Sequence, residues 1–102
     1  EMANPTDSPI AEYYGALSGT EAAIPAPKFG RIYLLDVTVT TTVKTILTIF
    51  SPKQHVIFAV TIQANTIFDK TWPRGLKGAE KQPLVIETNK YSGLNHCAVT
   101  VG

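Results

Sequence analysis

The stretch His55-Val56-Ile57-Phe58-Ala59-Val60-Thr61-Ile62-Gln63 decides the fold class. Val56, Phe58, Val60 and Ile62 fall on one side of an extended chain, and Ala59, Thr61 and Gln63 on the other. That is the period-two pattern of a half-buried β-strand. A helix would need apolar residues at three- and four-residue spacing, and no segment of the 102 residues carries such a stripe.

Working outward, the same alternation recurs on both sides. From Arg31 to Thr40, Tyr33, Leu35, Val37 and Val39 alternate with Asp36, Thr38 and Thr40, while Ile32 and Leu34 make the first half apolar on both faces. Lys44 to Phe50 sets Leu47 and Ile49 on one face and Ile46 and Phe50 on the other. Thr66 to Lys70, Pro83 to Thr88 with Leu84 and Ile86 inward, and Asn95 to Val101 with Cys97, Val99 and Val101 inward complete the main set. Between them stand Ser51-Pro52-Lys53, Trp72-Pro73-Arg74-Gly75 and Tyr91-Ser92-Gly93, whose Pro, Gly and Ser suit turns. Many short strands rich in Val, Ile and Thr predict two packed antiparallel sheets or a small barrel, with a jelly-roll-like sandwich as the expected architecture.

Proline punctuates the first 27 residues at Pro5, Pro9, Pro25 and Pro27, leaving room for one short strand between Ile10 and Leu17. The expected organisation is an extended, acidic N-terminal arm over residues 1–27 and a single β-sandwich domain over residues 28–102. A chain of this length builds one core. The arm holds Glu1, Asp7, Glu12 and Glu21 and no Lys or Arg, a charge of −4. The body sets nine cations against Asp36, Asp69, Glu80 and Glu87, a charge of +5. Such a split marks an interaction segment, or simply a solvated leader.

The formal net charge of +1 argues against nucleic acid or an anionic membrane as partner. The longest apolar run, Val56 to Val60, is far below the roughly 20 residues that span a bilayer, and the first thirty residues lack the basic-then-apolar pattern of a secretory leader. With Cys97 the only cysteine, no intrachain disulfide forms, and an intracellular folding site is expected.

The residues that carry chemistry are few. His55, His96 and Cys97 are the candidate metal ligands, but His96 and Cys97 are neighbours on a strand and point to opposite faces, so no metal or other cofactor is expected. Neither histidine sits in a motif that supplies a nucleophile with a base, and no phosphate-cradling glycine loop is present. The chain reads as a non-enzyme. Thr38, Thr40, Thr41, Thr42, Thr45 and Thr48 crowd into one hairpin, where β-propensity accounts for them more simply than a ligand ladder.

Surfaces offer more. Ile32 and Leu34 with Ile46 and Phe50 form a second apolar surface that one small core does not need, and a contiguous exposed apolar patch marks a contact site. Trp72 and Arg74 belong to residue types enriched in interface hot spots, although Trp72 can equally fold back to plug the end of the sandwich. Tyr13 and Tyr14 in the arm have the same double reading, as anchors or as local packing.

Gly30-Arg31-Ile32-Tyr33 opening a Thr/Val strand, the Ile46–Phe50 strand, the Pro73-Arg74-Gly75 turn, and Tyr91-Ser92-Gly93-Leu94 leading into Ala98-Val99-Thr100-Val101 come in a familiar order. Over about residues 22–102 it resembles small β-sandwich structural proteins of tailed-bacteriophage virions, especially head decoration or cement proteins. The resemblance implies a jelly-roll-like fold, assembly into trimers, and attachment to the major capsid protein or another virion protein. It places the chain in a virion assembled in the host cytoplasm. The alternative is a carbohydrate- or receptor-binding β-sandwich of a phage tail or fibre that uses Trp72.

Overall fold

The computed structural model describes residues 11–16, 21–89 and 93–102, with residues 11–16, 22 and 93–96 described by their backbone alone. Eight strands follow one another: β1 (Ala11–Ala16), β2 (Glu21–Ile24), β3 (Ile32–Thr41), β4 (Thr45–Phe50), β5 (Val56–Ile62), β6 (Thr66–Lys77), β7 (Leu84–Thr88) and β8 (Gly93–Val101). Among the described residues none is helical. The strands form two four-stranded sheets, ordered β1-β8-β3-β6 and β2-β7-β4-β5, and every pairing is antiparallel. The all-β expectation holds.

Only β4 and β5 are joined within one sheet; every other connection carries the chain across to the opposite sheet. The sheets therefore share one core. Val37, Val39, Cys97 and Val99 from the first meet Leu47, Ile49, Ile62, Leu84 and Ile86 from the second. Burying each of these aliphatic side chains contributes about 1.5–3 kcal/mol of transfer free energy.

Residues 11–16 and 21–24, assigned by composition to an arm, are the edge strands β1 and β2. β1 pairs with β8, and β2 pairs with β7. Residues 1–10 and 17–20 of that segment lie outside the described residues.

The phase of β3 differs from the alternation. Ile32 and Leu34 are 1% and 0% exposed and belong to the core with Val37 and Val39. They are not an outward surface. The cause is a register shift between Leu34 and Asp36, on both neighbouring strands, which inserts one residue and inverts the alternation. Inward positions are thus 32 and 34 before the bulge and 37 and 39 after it.

Opposite that bulge, β6 carries a larger one. Leu34 pairs with Leu76 and Asp36 with Thr71, so Trp72, Pro73, Arg74 and Gly75 stand against the single residue Leu35. The expected turn between strands is therefore a kink inside one long edge strand. An edge tolerates it because Pro73 has no N–H to offer a ladder. Gly75 is required there: its φ is +81°, and a Cβ would lie 2.7 Å from the Tyr33 Cβ.

Two buried polar clusters finish the ends of the sheets. Thr41 and Thr45 are buried at the β3–β4 turn, their hydroxyls 2.9 Å apart and both in contact with the Val43 carbonyl. Two of the six clustered threonines are thus engaged in local capping, and the segment expected as a hairpin is a connection that crosses from one sheet to the other. Ser51, fully buried after β4, donates to the Pro83 carbonyl at 2.8 Å and accepts from the Ala79 N–H at 2.9 Å. It ties the β4–β5 turn to the β6–β7 connection.

Candidate interaction surfaces

The outward face of the second sheet is built from residues that alternate with the core. Leu84 and Ile86 point inward, so Val85 and Glu87 point outward, as do Ile46, Thr48 and Phe50 between and beside the buried Leu47 and Ile49. The strand registers line these up. Ala23 pairs with Val85, Val85 with Phe50, and Phe50 with Val56, giving an apolar row across all four strands. The next row reads Glu21, Glu87, Thr48 and Ala59.

Lys53 fastens the two rows. It rises from the β4–β5 turn, beyond Phe50, and its ammonium pairs with Glu21 and, at 3.1 Å, with Glu87. To reach them its stem must cross the row of Ala23, Val85 and Phe50. That explains why Val85, on the outer face, is only 5% exposed. The two glutamates face each other directly across strands, a repulsive arrangement that the lysine neutralises.

Of the residues singled out from the sequence, Ile46 and Phe50 share this face, with Ile46 45% exposed and Phe50 half-buried. Ile32 and Leu34 do not join them, being core residues of the other sheet. The patch instead recruits Val56, 51% exposed, together with Ala23 and Val85. Strict alternation places Val56 inward. A register shift between Ile49 and Phe50 turns it outward and leaves Ile57 as the extra residue. The uninterrupted apolar run Val56-Ile57-Phe58 was the sequence sign of that irregularity.

Trp72 lies half-buried against the core, edge-on to Phe58 with ring centroids 5.2 Å apart, and with the Lys70 ammonium 5.9 Å above its ring. Phe68 adjoins Phe58 at 6.3 Å. These aromatics close the open side between edge strands β5 and β6. Trp72 thus packs against the core along the side shared by β5 and β6, whereas the sequence allows it either at the end of the sandwich or as an exposed anchor. Arg74 is exposed in the kink beside it. Tyr13 and Tyr14 pair in register with Cys97 and His96, and their side chains lie outside the described residues.

Away from this face, Thr38 donates to the Asp69 carboxylate at 3.2 Å on the outer side of the first sheet, one row from Ile67, which is 70% exposed. His55 is exposed and Cys97 buried. Among the described residues no three His, Cys, Asp or Glu side chains gather where they could hold a metal ion, and no helix is long and apolar enough to cross a membrane.

The fold and these surfaces define an all-β, two-sheet, sandwich-like protein with an apolar row on one outer face. Compared with family models, with curated proteins and with solved structures, the chain matches none.

Proposed function

We propose that this chain is a non-enzymatic structural protein of a virion, a decoration or cement protein that attaches to the assembled shell, and that its fold is a jelly roll. The strand orders support the fold reading. Eight strands laid down as β1-β8-β3-β6 and β2-β7-β4-β5 reproduce the interleaving of two Greek keys. The partner in this reading is the major capsid protein or another virion protein, several copies of the chain act together, and the place of action is the virion.

The observation that carries the docking role is the apolar row Ala23, Val85, Phe50 and Val56 with Ile46 nearby, whose centre at Val85 is covered and whose exposed apolar part is Ile46 and Val56 beside half-buried Phe50, with Lys53, Glu21 and Glu87 adjoining. An apolar stripe with a polar rim is the pattern of a protein contact. A sugar-binding role resting on Trp72 has less behind it, because that ring is already engaged by Phe58 and Lys70.

The test is co-sedimentation of the purified chain with shells of the virus that encodes it, before and after Phe50→Asp. The wild type is expected to travel with the shells and the variant to stay in the supernatant. A wild type that remains in the supernatant at saturating concentration rejects the reading.

A further inference from the structure

We propose that the free edge of β5 is where a second copy of this chain joins, by antiparallel strand pairing about a two-fold axis. This inference concerns the chain's association with itself and stands whether or not the chain docks on a shell.

Each sheet has two edge strands: β1 and β6 in one, β2 and β5 in the other. An edge presents a row of N–H and C=O groups that another strand can meet, and proteins blunt that tendency with charges, prolines, bulges or brevity. All four edges carry such devices, but the one in β5 is only the single bulge at Ile57. β1 contains Glu12, and β2 is four residues long with Glu21. β6 has Asp69, Lys70, Arg74 and Lys77, the proline Pro73, and the four-residue kink. β5 is Val-Ile-Phe-Ala-Val-Thr-Ile, with no charge and no proline. Among the described residues it pairs with β4 alone.

The same lack of charge selects the occupant. Antiparallel two-fold pairing sets each residue of the strand opposite another residue of the same strand, with only the one on the axis opposite its own copy, so a strand bearing charges of one sign would repel itself; β5 has no charge. Beyond the irregularity at Ile57, residues 58–62 alternate regularly. Phe58, Val60 and Ile62 face the core side, and Ala59 and Thr61 are exposed on the other. A register centred on Val60 keeps the faces aligned and sets Phe58 of each copy opposite Ile62 of the other, with Val60 opposite Val60. It also extends the second sheet from four strands to eight.

The surface beside the edge points the same way. Phe58, Phe68 and Trp72 remain half-buried in the single chain, and all three lie along the side that β5 and β6 share. A second copy seated on β5 covers what they still expose. Aromatic residues flanking an uncharged edge are the composition of an interface centre. The pair so formed is two-fold, in contrast to the three-fold assembly that the sequence resemblance implies.

Sedimentation equilibrium of the full chain across roughly 1–100 µM, a range bracketing ordinary micromolar association, decides the matter. The expected species is twice the 11.1 kDa of one chain. Ala59→Lys combined with Thr61→Lys should raise the dissociation constant at least about tenfold through like charges on paired strands. Lysines placed at Gln63 and Thr66, outside β5, should leave it unchanged. Trp72, the only tryptophan, serves as an internal reporter whose emission should shift to the red as wild type is diluted and stay fixed in the double-lysine variant. Circular dichroism confirms that both variants keep their sheets; should the double-lysine variant unfold, slow amide exchange along β5 of the wild type replaces it as the readout. A monomer throughout the range, a three-copy species, a pair indifferent to both lysines in β5, or β5 amides that exchange as fast as those of β6 would each overturn the proposal.

Discussion

Removing the Ser51 hydroxyl should cost this protein a large part of its stability, although the change deletes one atom. Ser51 is fully buried, and its Oγ both donates to the Pro83 carbonyl at 2.8 Å and accepts from the Ala79 N–H at 2.9 Å. In Ser51→Ala both main-chain groups lose their partner in a site that holds little water. Each abandoned group costs about 1–3 kcal/mol, and the half-buried surroundings of Pro83 and Ala79 place the sum at about 2–4 kcal/mol. Against a total of about 5–15 kcal/mol that is a severe loss. For a domain near 100 residues it lowers the Tm by about 10–20 °C. Gly78 offers an internal check, since a Cβ there would lie 2.9 Å from both the Ser51 Oγ and the Ile32 carbonyl oxygen. Gly78→Ala should therefore destabilise the wild type more than it destabilises Ser51→Ala, where one of the two clashes has gone, with a coupling of about 0.5 kcal/mol or more. Urea unfolding of the four proteins, followed by circular dichroism, measures all of these quantities. A Ser51→Ala loss below about 0.5 kcal/mol, or strict additivity with Gly78→Ala, would refute the view of Ser51 as the junction of two connections.

Other outcomes follow from the same geometry. Leu34→Ala should cost about 2–5 kcal/mol in urea unfolding while Ile46→Ala stays within about 0.5 kcal/mol, because Leu34 is enclosed and Ile46 faces outward. Lys53→Met keeps the stem over Val85 and should lose no more than about 1 kcal/mol, a loss that disappears in 1 M salt; Lys53→Ala uncovers Val85 and should lose more at every salt concentration. Gly75→Ala should lower the Tm measurably, since about 1–2 kcal/mol of left-handed backbone strain adds to the contact with Tyr33. Thr45→Val should cost about 1 kcal/mol, as the Val43 carbonyl keeps the Thr41 hydroxyl when that of Thr45 is lost.

The strands were legible because alternation is a local property. The segments read at Lys44–Phe50, His55–Gln63 and Pro83–Thr88 coincide with β4, β5 and β7, and Leu47, Ile49, Leu84 and Ile86 are core residues as the pattern required. The candidate surface was half legible. Ile46 and Phe50 lie outward as expected, whereas Ile32 and Leu34 were assigned outward and are enclosed. A doubly apolar stretch gives no local sign of which face the chain will bury. Val37 and Val39 lie past the bulge, so counting back from them in twos selects Tyr33 and Leu35, the wrong pair. Val56 went wrong for the same reason in the opposite sense.

By itself, then, the sequence determined that this chain is built of strands, approximately where each begins, and that the strands are amphipathic enough to share one core. Side-chain alternation needs nothing beyond neighbouring residues to be expressed. Tertiary structure alone decided the strand order, the bulges that invert β3 and displace Val56, and the union of Ala23, Val85, Phe50 and Val56 into one row. It also decided that uncharged β5 stands at an edge while β4, of similar composition, lies between two neighbours. Each of these depends on pairings between residues distant in the chain. Such pairings are chosen by how the whole set of strands can close around a single core, and no local pattern encodes that choice.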